Sequence, residues 1–232
     1  FLEDLSKEAV ENHSSGKAIF FNVTDEKQRE SEISDSDIVI SMLPTRMHIL
    51  VAEDCVRLGI NLVTASYVSK EILALDGKAK EAGIILLNEI GLDPGIDHMS
   101  AMKVIDEIKE NGGELTSFKS YCGGLVHPDF DNNPWNYKFT WNPRNVVLAG
   151  QGTAQYIKQG KYKYIPYTKL FERTERMSIL DAGELEGYAN RDSLSYRKAY
   201  GLEKIPTLFR GTLRRKGFCK SWNMFVQLGM TE

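Results

Sequence analysis

Four short runs of apolar, β-forming residues, separated by stretches of helical length, restrict what this chain can fold into more than any other feature. They are residues 18–23 (AIFFNV), 37–43 (DIVISML), 61–65 (NLVTA) and 83–90 (GIILLNEI). Each is near-continuous in apolar character rather than alternating, the pattern of strands covered on both faces of a parallel sheet. Between them, residues 48–58 place Ile49, Ala52, Cys55 and Val56 on one helical stripe. Residues 67–82 form a second helical stretch with a Glu/Lys-rich outer face. This β-α-β-α order predicts a doubly wound, Rossmann-like α/β sheet.

A further helix is expected over residues 95–109, where Ile96, Met99, Met102, Ile105 and Ile108 recur about one turn apart before Gly112 and Gly113 end it. Beyond Glu114 the character changes to aromatic, Gly- and Pro-rich sequence, the mark of an α+β domain with short strands. Two domains follow, 1–97 and 98–232. The first is expected to be incomplete. No G-x-G-x-x-G turn is present to bring backbone amides to a pyrophosphate, and residues 1–13 read as a helix already under way.

Bulk properties narrow the class. A 42% hydrophobic and 26% charged chain is ordinary for a globular protein, and a net charge of -3 gives no reason to expect nucleic acid or a membrane surface as partner. Cys55, Cys122 and Cys219 form no CxxC pair and no metal-ligand spacing. That sparse, odd count fits a reducing compartment, and the N-terminus does not read as a signal peptide, so a cytoplasmic location is expected.

The richest segment is residues 88–98 (NEIGLDPGIDH): a strand end, a tight Gly/Pro turn and a new helix. That is the crevice position where open α/β sheets bind ligands. Asp93 would sit there beside backbone amides, although Asp93 or Asp97 would serve equally as a helix cap. Six further motifs stand in order: residues 37–44 (DIVISMLP), 63–67 (VTASY), 120–125 (SYCGGL), 133–141 (NPWNYKFTW), 189–193 (ANRDS) and 210–214 (RGTLR). Together with NEIGLDPGIDH they resemble the saccharopine reductase family, the glutamate-forming saccharopine dehydrogenases, over nearly the whole chain. Ala189, where that family commonly has Pro, and His127 depart from its pattern.

The resemblance implies an NAD(P)-dependent oxidoreductase of lysine metabolism. It would interconvert saccharopine with L-glutamate and 2-aminoadipate 6-semialdehyde by hydride transfer at a C–N bond. By family position the cofactor, NADP or NAD, is held by Asn22, Val23, Met42, Thr64, Ala65, Gly91, Leu92, Asp93 and Trp141. Substrate falls to Ser66, Tyr67, Asp93, Arg191, Thr212, Leu213 and Arg214, since three carboxylates call for guanidinium groups. Asp93 ranks first as the group handling protons, with Tyr67 and Cys122 beside it. No metal is implied, and a homodimer is. Each assignment has a plainer counterpart: Tyr67 packed on the sheet, Trp141 in the core, and Arg214-Arg215-Lys216 as a solvated basic face. Two other functions stay open, a carboxynorspermidine- or homospermidine-type dehydrogenase and an inactive fragment serving as a binding or dimerisation module.

Overall fold

The computed structural model describes residues 7–8, 10–11, 13–133, 135–149 and 151–231, with Ala149 by its backbone alone. Much of the helix expected over residues 1–13, and Pro134 of the 133–141 motif, lie outside the described residues. The chain divides into two compact units, Phe1–His98 and Met99–Glu232. Among the described residues no helix is long and apolar enough to cross a membrane.

Unit 1 runs α1 (Glu26–Ser34), β1 (Ile38–Ser41), α2 (His48–Leu58), β2 (Asn61–Thr64), α3 (Lys70–Leu73), α4 (Asp76–Glu81) and β3 (Leu86–Leu87). Its strands are parallel in the order β1-β2-β3, with Ser41 opposite Thr64 and Val63 opposite Leu87. Asp25 starts α1 by accepting the Lys27 and Gln28 amides, and Gly59, in the left-handed region, ends α2. Ile33, Val51, Ala52, Cys55, Leu62, Ile72 and Leu75 form the core, each large aliphatic among them worth about 1.5–3 kcal/mol when fully buried. A buried ion cluster joins α1 to α2. Arg29 bonds Asp54 and the Val23 carbonyl, and Arg57 donates to the other Asp54 oxygen at 2.8 Å. Burial alone would raise the Asp54 carboxyl, but hydrogen bonds from Arg57 and Arg29 outweigh it and hold the group below its ordinary range.

Four expectations need correction here. Residues 18–23 form no strand, because their backbone has no ladder partner among the described residues: the Phe20 carbonyl accepts from the Gln28 side chain and the Asn22 amide donates to it. Residues 67–82 are two short helices. Ser69 caps the first, and an i→i+3 bond from Leu75 to Ile72 tightens the chain so that both side chains turn inward. In α2, Val51 is buried where Ile49 and Val56 were expected to be, and those two are only partly covered. The sheet is apolar on both faces but buried on one. Val39 and Leu86 pack into the core, while Ile38 and Ile40 remain 52% and 67% exposed.

α5 (Ile96–Glu110) opens the way to unit 2, followed by β4 (Phe118–Cys122), α6 (Pro143–Ala149), β5 (Ala154–Lys158), β6 (Lys161–Ile165), α7 (Tyr167–Leu170), β7 (Glu175–Ile179), β8 (Gly183–Ala189), α8 (Tyr196–Ala199), β9 (Leu208–Arg215) and α9 (Phe218–Gln227). The strands make one sheet, β6-β5-β9-β8-β7, antiparallel throughout, with β4 added parallel to β9. Strand alternation feeds two cores: Leu208 joins Ile105, Ile157, Tyr200 and Ile205, while its neighbour Phe209 packs against the cluster that holds Tyr188, Phe171 and Phe218. The buried stripe of α5 is rotated from the one expected. Ala101, Met102 and Ile105 face that core, whereas Met99 is exposed.

Candidate functional site

In unit 1 the three parallel strands release their carboxyl ends at one edge, the usual ligand position of such sheets. Met42 follows β1 and is 77% exposed. Thr64, buried, ends β2, and Ala65, Ser66 and Tyr67 follow it. The chain after β3 crosses over them: the Ile90 amide donates to the Thr64 carbonyl at 3.2 Å and the Glu89 amide to that of Ser66 at 3.1 Å. Gly91 is then so close to Ala65 that a Cβ on it would meet the Ala65 methyl at 3.1 Å. Asn22 and Val23 lie before α1. The Asn22 side chain accepts from Thr24, and Val23 is buried in the core.

The 88–98 segment is a turn closed on itself. Gly91 donates to the Pro94 carbonyl, Ile96 to that of Gly91, and Asp97 to that of Leu92. Gly95, at φ 145°, could carry no side chain, since a Cβ would fall 2.1 Å from the Gly91 oxygen. The two aspartates separate in role. Asp97 accepts from the Gly95 amide at 2.8 Å, the capping use, whereas Asp93 receives the Tyr67 hydroxyl at 2.8 Å. Tyr67 is therefore turned toward the turn, half-exposed, rather than packed on the sheet.

A second polar set lies beneath this edge, and the sequence reading passed over it. His48, the first residue of α2, is 3% exposed. Its Nδ1 is 2.8 Å from the Ser41 hydroxyl, and its Nε2 is 2.8 Å from that of Ser66 and 3.4 Å from that of Thr64. Burial lowers its pKa, so the ring is neutral at physiological pH. Attention to histidines near motifs picks out His98 and His127. His98 faces Glu89 at 3.3 Å and His127 lies on the surface. The one signal for His48 was its place at a helix start just past a strand end.

In unit 2, Cys122 ends β4 opposite Thr212 of β9, whose hydroxyl donates to Asn190 at 2.7 Å. Gly123 is pressed against β9, and a Cβ there would stand 2.3 Å from the Leu213 carbonyl oxygen. Most of the 189–193 motif holds the chain in place. The Asn190 amide donates to Arg210, the Asp192 carboxylate accepts from Leu194 and Ser195, and the buried Ser193 hydroxyl accepts the Arg210 amide at 2.9 Å. Arg191 alone in that motif presents an exposed side chain, its stem lying against Gly152, with no guanidinium partner among the described residues.

Arg214 is placed otherwise than a solvated basic run would have it. It is 7% exposed, with its guanidinium 5.0 Å from the Tyr137 ring, 5.2 Å from Phe218 and 6.0 Å from Tyr188. One nitrogen donates to the Leu213 carbonyl, and its Nε has no hydrogen-bond partner among the described residues. Arg215 is spent on the carbonyls of Ala182 and Val126, leaving Lys216 as the exposed member of the run. Trp141 is half-exposed. No cysteine is in a disulfide. Burial, reinforced by the nearby Asp54, pushes the Cys55 thiol up to about 12, and burial with Glu186 does the same for Cys219, also to about 12. Cys122 is only half-buried.

Comparison with known proteins gives a consistent result. Residues 3–87 match the family model "Saccharopine dehydrogenase NADP binding domain" and residues 91–232 match "Saccharopine dehydrogenase C-terminal domain". The chain is 44% identical to an alpha-aminoadipic semialdehyde synthase of Arabidopsis thaliana, over 100% of this chain and 22% of that protein. It is 40% identical to the saccharopine dehydrogenase [NADP(+), L-glutamate-forming] of Saccharomyces cerevisiae, over 97% of this chain and 50% of that protein. The apo structure of the S. cerevisiae saccharopine dehydrogenase (L-Glu forming) superposes with a TM-score of 0.89 at 38% identity, covering 99% of this chain and 52% of that one. The chain thus spans about half the length, or less, of these relatives.

Proposed function

The chain belongs to the saccharopine dehydrogenase family, and from that membership we propose that the protein interconverts saccharopine with L-glutamate and 2-aminoadipate 6-semialdehyde, using NADP(H). The carboxyl edge of unit 1 suits the cofactor. Met42 and Leu92 offer exposed apolar surface there, and the bare α-carbon of Gly91 beside Ala65 allows close backbone approach. Asn22, Val23, Met42, Thr64, Ala65, Gly91, Leu92 and Asp93 would hold it, and Trp141 is a further candidate by family position. When bound, NADP supplies the acceptor for the hydride on the carbon beside the substrate amine.

Loss of that hydride leaves an iminium cation on the substrate. Water adds to its carbon, and proton transfer from the new hydroxyl to nitrogen splits the C–N bond into aldehyde and amine. The observation that carries this reading is the 2.8 Å bond from the Tyr67 hydroxyl to Asp93. It makes the carboxylate the acceptor, a negative charge suited to stabilise the cation, and supplies an acid–base pair for the proton steps. Cys122 is the third candidate for those steps. Ser66 and Tyr67 contact substrate in unit 1. In unit 2, Arg191 offers a guanidinium for a bidentate carboxylate bond, and Thr212, the Leu213 backbone and Arg214 are the further substrate candidates by family position.

The test is reduction of NADP+ by the purified protein with saccharopine, set against carboxynorspermidine. Turnover of saccharopine is expected, and turnover of the polyamine precursor alone would replace the reading. The proposal extends to a homodimer in the cytoplasm. Three cysteines outside any disulfide fit a reducing compartment. Sedimentation and cell fractionation test the two points.

A further inference from the structure

We propose that His48 is a positioning residue, whose buried ring, held between the Ser41 and Ser66 hydroxyls, fixes the direction in which Ser66 meets substrate. The inference rests on the reading of Ser66 as a substrate contact.

Both ring nitrogens are engaged at 2.8 Å, on opposite sides, by hydroxyls from neighbouring strand ends. Ser41 closes β1 and is itself buried, and Ser66 lies two residues past Thr64, the register partner of Ser41. The ring stands on the first residue of an eleven-residue helix, where the positive end of the helix dipole opposes an imidazolium. A neutral imidazole has one donor nitrogen and one acceptor nitrogen. One hydroxyl must therefore donate to it and the other accept from it. The tautomer that Ser41 selects decides whether the Ser66 hydroxyl spends its proton on Nε2, and can then only accept from a ligand, or accepts from Nε2–H and keeps its proton to donate. The Ser66 backbone is held too, its amide 3.3 Å from the Thr64 hydroxyl and its carbonyl taken by Glu89. His48 itself is too buried to touch a ligand, so its influence reaches substrate only through Ser66.

A His that merely filled space would be replaced without effect on substrate affinity. In the complete protein carrying this chain, His48→Ala is expected to raise the saccharopine KM about tenfold, the worth of one hydrogen bond, with NADP affinity and kcat little changed. His48→Gln, whose amide reaches the Nε2 position, should restore most of the loss. Ser66→Ala should match His48→Ala, and the double variant should be no worse than Ser66→Ala alone. Should His48→Ala not fold, Ser41→Ala removes the far side of the clamp and must still raise KM severalfold. An unchanged KM in Ser41→Ala or in a folded His48→Ala, or additive losses in the double variant when Ser66→Ala raises KM by itself, overturns the proposal alone. An unchanged KM in Ser66→Ala overturns the assignment of Ser66 to substrate, and the proposal with it.

Discussion

The carboxyl edge of the parallel sheet and the motif-bearing strands of the mixed sheet use their polar residues in opposite ways. At the first, Tyr67 meets Asp93 and His48 meets Ser66 in small sets whose members are held by side-chain bonds and leave the backbone turn intact without them. In the second, Asn190, Asp192, Ser193 and Gly123 are consumed by strand and turn contacts, and Arg214 is sunk among aromatic rings. A family motif therefore marks two different constraints. In one region the motif residues meet through their side chains, and in the other most of them hold strands and turns together.

Substitutions can break that contrast. Gly123→Ala carries the largest expected effect. Its Cβ would press on the Leu213 carbonyl, which belongs to backbone and cannot swing away, so about 3 kcal/mol or more of stability should vanish in urea unfolding. A loss under 1 kcal/mol would show that β4 and β9 yield. Asp93→Asn should cut kcat roughly 100-fold, near 2.7 kcal/mol, with unfolding hardly moved. If unfolding moved as much as catalysis, the edge would be as structural as the sheet. Next come the two arginines. Arg191→Lys should raise the saccharopine KM about tenfold, some 1.4 kcal/mol, at constant Tm. Arg214→Lys should also lower Tm, because an ammonium replaces a guanidinium flanked by three rings.

The smallest effect is a pH dependence. His48 is held below its ordinary 6.5, so the unfolded chain binds the proton more tightly. Its contribution is complete above pH 6.5 and is lost as the pH falls below that value. Asp54, lowered from 3.8, is lost in a separate, more acid window. His48→Gln should erase the first slope in chemical denaturation between pH 7 and 5 and leave the second. A slope that survives the substitution would assign it to another group.

What the sequence made legible follows from this contrast. Ile38–Ser41 and Asn61–Thr64 were readable as strands because their side chains are apolar and β-branched. Residues 18–23 look the same but lack a ladder, and a strand is defined by pairing, which no local pattern records. The turn around Gly91 to Asp97 was readable as a strand–turn–helix edge, but not which aspartate capped it. That choice was made by the distance from Tyr67, 26 residues away. Arg214 reads identically in sequence whether solvated or buried. His48 escaped because its partners, Ser41 and Ser66, are set 7 and 18 residues from it.

The three thiols differ enough to be told apart by chemistry alone. Since burial pushes Cys55 and Cys219 both up to about 12, neither offers a thiolate to an alkylating reagent near neutrality. A maleimide or a fluorinated tag should enter at Cys122 and stop there. The native chain thus carries a built-in attachment point at the end of β4, opposite Thr212, where a reporter tests the proposed substrate contact without any engineered cysteine.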